Sequence, residues 1–362
     1  MSWFTFGCGA RDGLGVSAFG GASASGGLGA ASGTGGTGGT GGAPAVGGAL
    51  ALGGAGTGGA ACSPDVSRDP ANCGRCGHSC LGGECANGWC QPVVLDSLGN
   101  TGANALALDA ESVFWVSPAM VLSKLGGRAK VLAPAPPVIF GIAVDHDDVF
   151  WTDLNGFLQR VPKTGGAPQS LALGGYRVAL DDSYAYTAWT DVHRVPKSGG
   201  TVETLADFGG QGIAVDDDSV YFTTWGSGIP GKSDGGLFKV PKAGGPVLEL
   251  AVTDCSSYVT TYGDTVYWGN QCGSAGVRAI PKLGGTVTLL AGAGTPYGIA
   301  ADADGVYWAD HGGWVSMLPT EGGQPVTLAD GQFAPRDLAV DADAVYFTND
   351  SSMSSIVKVA KP

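Results

Sequence analysis

From about residue 104 to the end of the chain, short apolar runs alternate with clusters of Asp, Gly and Pro. One stretch shows the pattern clearly: FGIAVDHDDVFWTDLNGFLQRVPKTGGAPQSLAL, residues 140–173. An apolar run ends at Asp145, and Phe150 and Trp151 follow shortly after. Then come a loop, the tetrad RVPK, a Gly-Gly pair and a last apolar run. The runs are rich in β-branched and aromatic residues, too short for helices and bounded by turn formers. They predict strands. They are apolar throughout rather than alternating, so both faces of each sheet must be covered.

The pattern repeats along the chain. Its aromatic landmark recurs at Phe114, Phe150, Tyr186, Tyr221, Tyr267, Tyr307 and Tyr346, giving seven copies 35 to 46 residues apart. A period of this length marks an array of small units, each needing its neighbours to cover it. Four-stranded sheets stacked around an axis meet that need. The prediction is an all-β fold, a seven-bladed β-propeller of four-stranded antiparallel blades. FWTD at Phe150–Asp153, YWAD at Tyr307–Asp310 and YFTN at Tyr346–Asn349 resemble the YWTD class of propeller repeats, over roughly residues 91–362. Receptor-type members of that class have six blades, which makes six the alternative count. The last copy ends at VKVAKP, after its third run, and the missing fourth run stands at the front of the array. QPVVLD, Gln91 to Asp96, matches QPVTLAD at residues 324–330. This N-terminal strand is expected to complete the last blade and remove the open edge.

Ahead of the array the composition changes. Residues 13–64 carry no charged side chain, and residues 20–61 are a Gly/Ala/Ser/Thr tract with too little apolar area to offset ordering. They read as a flexible tether. Residues 1–19 contain FTFGCGARD, which resembles the cleavage region of a bacterial lipoprotein and makes Cys8 a lipidation candidate. An ordinary free thiol is the alternative.

Residues 62–90 hold six of the nine cysteines: Cys62, Cys73, Cys76, Cys80, Cys85 and Cys90. The segment resembles small cysteine-rich modules of secreted bacterial proteins, and with so few apolar residues only cross-links would hold it. Three disulfides among the six are expected, in any of the 15 pairings that six cysteines allow. A zinc site of Cys73, Cys76, His78 and Cys80 is the alternative. Cys255 and Cys272 sit symmetrically about the turn at Gly263–Asp264, so they face one another across a hairpin and are expected to bridge. This cysteine usage points to an oxidising, extracytoplasmic location, secreted or held in the envelope by a lipid anchor.

The net charge is −13, and 27 of the 32 acidic side chains lie in residues 97–362. That surface repels phosphate backbones, and no basic stripe appears, so nucleic acid is excluded as a partner. No stretch has the apolar length of a transmembrane helix. GSGIPGKS, residues 226–233, spells a P-loop, but it runs into a strand rather than a helix, so no amide cradle for phosphate forms.

One face of the ring should carry tight turns with an Asp at six of seven positions (Asp109, Asp145, Asp181, Asp216, Asp302, Asp341), blade five having Tyr262. Each Asp is expected to cap its own turn, a metal-binding ring being the alternative. The other face carries loops of variable length, where binding residues usually reside. The longest spans residues 223–236 and holds Trp225. The residues just ahead of each first strand converge on the channel mouth: Asn104, Phe140, Tyr176, Gln211, Ser257, Tyr297 and Arg336. They form a candidate ligand site, or else they merely plug the channel. His311 beside Asp310 is the weak candidate for acid–base work. No cofactor is expected. The chain reads as a tethered extracytoplasmic binding module for a protein, peptide or glycan. Relatives of the class include lyases and lactonases, so a channel-mouth enzyme of that type, with a divalent cation, is the alternative.

Overall fold

Each predicted run forms a strand, and in the computed structural model the strands pair antiparallel, in chain order, into seven four-stranded sheets. Blade two is typical, with Ile139–Val144, Asp148–Asp153, Phe157–Pro162 and Gln169–Leu173. The structure describes residues 65–99, 102–117, 120–124, 128–134, 139–153, 155–225, 235–253, 255–292, 294–350 and 353–362. All of these belong to the unit Cys62–Pro362. The tether, the lipoprotein-like N-terminus with Cys8, Cys62 and the P-loop match lie outside the described residues.

First strands of neighbouring blades lie side by side, which makes them the inner lining of the ring. The ring closes as expected. Val93–Gly99 pairs antiparallel with Ser354–Ala360 as the fourth strand of blade seven, Val94 facing Val357. Seven apolar clusters fill the seven joints. Phe150 and Leu158 of blade two, for example, pack on Val178, Ala185 and Val195 of blade three.

A second regularity is finer than the repeat itself. The closing strand of blade seven slips twice, and in every blade the register between third and fourth strands slips by one residue at the same point, so the fourth strand carries an unpaired residue there. That residue is a leucine seven times: Leu95, Leu132, Leu171, Leu205, Leu250, Leu290 and Leu328. A bulge increases local twist and re-aims one side chain. Here it turns the leucine into the joint between blades. The N-terminal strand carries its bulged leucine at Leu95, so it reproduces the geometry of the other fourth strands as well as their sequence.

The turn aspartates bind twice. One oxygen of each accepts the two backbone N–H groups that close its own turn, as at Asp181 from Ser183 and Tyr184. The other oxygen meets a lysine of the next blade: Lys163 on Asp109 at 2.5 Å, Lys197 on Asp145 at 2.8 Å, Lys242 on Asp181 at 2.7 Å, Lys282 on Asp216 at 2.8 Å, and Lys361 on Asp302. Tyr186 and Tyr221 add their hydroxyls to the same carboxylates. Two joints differ. Lys124 of blade one reaches the Leu95 carbonyl of the closing strand. Between blades five and six both partners are absent: Tyr262 replaces the aspartate and Thr320 the lysine.

The cysteine module is held by two disulfides, Cys73–Cys85 and Cys80–Cys90, and Cys76 is disulfide-bonded as well. The three cysteines of the zinc alternative, Cys73, Cys76 and Cys80, are bonded to sulfur here. The module sits against the closing blade. Lys358 donates to the Leu81 carbonyl, and Arg75 to that of Pro362. His78 lies between two backbone acceptors, 2.5 Å from the Cys73 oxygen and 2.6 Å from the Lys361 oxygen.

Two outcomes test these joints. Burial pushes the Asp181 carboxyl upward, but Lys242, Tyr186 and two turn amides outweigh it and hold the group down to about 2. A depressed folded value stabilises the fold at pH above the unfolded value of about 3.9, and the gain disappears as pH falls toward 2. Asp181→Asn is expected to lose about 2 kcal/mol at pH 7 and to show a flatter decline between pH 4 and 2, read by urea unfolding. In a double-mutant cycle, Tyr262→Asp with Thr320→Lys should restore the missing pair and show a favourable coupling of about 0.5–1 kcal/mol.

Candidate functional site

The two faces of the ring differ in kind. On the turn face, first-to-second and third-to-fourth connections are short, and the Gly-Gly pairs adopt the positive φ expected of them, as at Gly199 (85°) and Gly200 (140°). Its six turn aspartates are engaged with turn amides. A cavity of about 700 Å³ opens on this side between the cysteine module and blades six and seven, lined in part by Arg75, His78, Asp304 and Lys361. Lys361 is paired with Asp304, and Arg75 and His78 hold backbone carbonyls, so these charged groups serve the docking of the module.

Of the exposed aromatics among the described residues, Phe157, Trp189, Trp314 and Phe333 stand on loops or strand ends of the variable face, Tyr262 on the turn face and Trp89 in the cysteine module. Around the channel mouth the structure brings several predicted residues together. Phe140 stacks on Tyr176 with centroids 4.4 Å apart. Trp189, 44% exposed, sits edge-on to both at 6.2 and 6.5 Å. Tyr297 packs on His311 at 5.1 Å and lies under the Arg336 guanidinium at 5.9 Å. Arg336 is fixed by Asp350 at 2.5 Å. Asn104 and Gln211 are half-buried, and their side-chain amides make no hydrogen bond among the described residues.

Other predicted residues are placed differently. Ser257 is buried, its hydroxyl donating to the carbonyls of Gly269 and Pro296. Trp225 is half-buried and bridges through its backbone to Cys255, which forms the expected disulfide with Cys272. Asp310 is buried, and its two oxygens accept from the amides of Gly312 and Thr295. Burial raises its pKa against those two bonds. Its hydrogen bonding ties the blade-five-to-six connection to its own loop, and His311 beside it stays exposed. Of the other histidines, His146 is exposed in a turn and His193 is buried, bonded to the Leu173 carbonyl.

Below the mouth lies a floor that the repeat pattern did not single out, one residue further along each first strand. The seven positions are Ala105, Gly141, Arg177, Gly212, Tyr258, Gly298 and Asp337. Glycine occupies blades two, four and six because the next blade comes too close for a side chain. A Cβ at Gly141 would lie 2.9 Å from the Arg177 Cα, and one at Gly298 2.9 Å from the Asp337 Cα. Blades three, five and seven supply large residues, which meet across the channel. The Arg177 guanidinium lies 3.6 Å from the Tyr258 ring centroid and donates to Asp337 at 3.0 Å. Asp337 also accepts from the amides of Leu106 and Leu338. Burial lowers the Arg177 pKa against the pull of Asp337.

No family model matches the chain, and no curated protein matches it by sequence. Solved structures share its fold. Virginiamycin B lyase from Staphylococcus aureus aligns over 75% of this chain and 99% of its own, at 14% identity and TM-score 0.62. A chain of a nidogen/laminin complex aligns over 61% and 94%, at 17% identity and TM-score 0.50. YCF48 bound to D1 peptide aligns over 75% and 97%, at 9% identity and TM-score 0.57. The chain has a propeller-repeat fold, and likeness at such identities extends no further than the fold.

The floor and the rim should respond differently to mutation. Arg177→Ala strands the buried Asp337 carboxylate and is expected to cost about 3–5 kcal/mol. Arg336→Gln breaks a more exposed pair and should cost about 1 kcal/mol or less, both read from urea midpoints.

Proposed function

We propose that the protein is an extracytoplasmic binding module that engages its ligand at the channel mouth of the variable-loop face. The observation that carries this reading is the rim formed by Phe140, Tyr176, Trp189, Tyr297, His311 and Arg336. It unites stacked aromatic surface with fixed polar groups above a floor closed by Arg177, Tyr258 and Asp337. A concave apolar site with a few oriented polar groups is the usual form of a binding site. Paired cysteines suit an oxidising compartment. Among the described residues no helix is long and apolar enough to cross a membrane. Attachment would fall to Cys8, with residues 20–61 as the tether. Propellers of the same fold include chains solved in a nidogen/laminin complex and with D1 peptide, so the architecture serves recognition elsewhere.

The test is retention of envelope components on the immobilised full chain. A component held by the natural protein and released by Trp189→Ala with Tyr297→Ala, both variants keeping their unfolding midpoint, is the expected result. Equal retention by natural and variant proteins would place binding elsewhere.

A further inference from the structure

We propose that the ligand of the channel mouth is a neutral carbohydrate. This rests on the reading of the mouth as the binding site and adds the chemical class. The first observation is the platform. Phe140 and Tyr176 are stacked nearly parallel, at an interplanar angle of 21°, and Trp189 stands against both with much of its ring in solvent. These packed rings form a rigid aromatic corner, and the exposed part of the Trp189 ring suits the C–H face of a pyranose, which needs broad contact rather than a deep pocket.

The second observation is the polar set. Each sugar hydroxyl both donates and accepts, so a sugar is held by groups of both kinds close together. Asn104 and Gln211 each offer an amide with a donor and an acceptor end, free among the described residues. Arg336 and Asp350 set a donor and an acceptor side by side in a fixed pair. His311, exposed on Tyr297, adds a ring nitrogen.

The third observation is charge. Each mouth arginine has a carboxylate partner, Arg336 in Asp350 and Arg177 in Asp337 through Nη1 alone, so each positive charge is balanced by a neighbouring negative one. A peptide would favour either unmatched charge or pockets for separate side chains.

The experiment titrates the full chain with cellohexaose, maltohexaose, chitohexaose and mannohexaose, following tryptophan fluorescence and calorimetry. Hexagalacturonate and a displayed random-peptide library form two further arms. At least one neutral hexasaccharide is expected to bind. Its affinity should fall about tenfold or more in Trp189→Ala, and again in Asn104→Ala with Gln211→Ala, at unchanged unfolding midpoints. Binding confined to hexagalacturonate or to library peptides, still lost in Trp189→Ala, would overturn the carbohydrate class while keeping the mouth. Binding of any arm that ignores Trp189→Ala would remove the mouth itself, and silence in all the neutral arms would end the carbohydrate assignment.

Discussion

The turn aspartates use their two oxygens in different directions, and the ring depends on that division. One oxygen closes a tight turn within a blade, and the other takes the lysine of the next blade, so a single side chain fixes both the local bend and the angle between sheets. Neither task is large in energy alone, since a partly exposed ion pair contributes little by itself. Set at the same point in successive joints, the pairs hold the blades at a constant offset while apolar clusters supply the bulk of the stabilisation. The joint between blades five and six shows the coupling by omission. It lost both partners together and relies on its apolar cluster, where Trp308 and Val277 pack. A lone lysine there would have had no countercharge to meet.

A ring held from one face leaves the other free to vary. The second-to-third connections carry no part of the joint ion pairs, so their lengths and residues change without loosening the blades. The inner strands still bring their starting residues within a few ångströms of one another, which is how Phe140 and Tyr176 of adjacent blades come to stack. The glycines at 141, 212 and 298 let backbones approach, and the large residues between them close the channel beneath the mouth. Beneath the mouth the channel is crossed by the Arg177–Asp337 pair and Tyr258.

Much of this was legible from residue spacing. The repeat predicted the blades and their number, the N-terminal strand that closes the ring, the role of the turn aspartates and the Cys255–Cys272 bridge. Each of those is written in residue type at fixed intervals, because turns and strands constrain sequence locally. Three things were not read. The bulged leucines stand in plain sequence, as in SLAL, TLAD and LLAG, but an apolar residue within an apolar run signals no register slip. The lysine partners needed pairing between blades, which period alone does not reveal, although the joint loss at Tyr262 and Thr320 was a readable clue. Trp189 and Asp350 reach the mouth through loop paths that spacing does not encode, and Tyr258 stands at a regular first-strand position one residue past those the repeat singled out. Ser257 fits the spacing and is nonetheless buried, its hydroxyl turned onto the carbonyls of Gly269 and Pro296.

The departures from symmetry are densest at the channel mouth. At the turn face, six of seven turns keep the same residue because each serves the same joint. At the channel mouth, by contrast, the seven equivalent residues are Asn, Phe, Tyr, Gln, Ser, Tyr and Arg. A plug would need only volume, and seven apolar residues would fill it without the cost of burying polar groups. The chain instead keeps two amides that make no hydrogen bond among the described residues and a matched Arg–Asp pair, and an exposed tryptophan stands against Phe140 and Tyr176. Such a set is costly to enclose and useful where something polar arrives from solvent. The variation at the mouth is the kind that the proposed binding role would need.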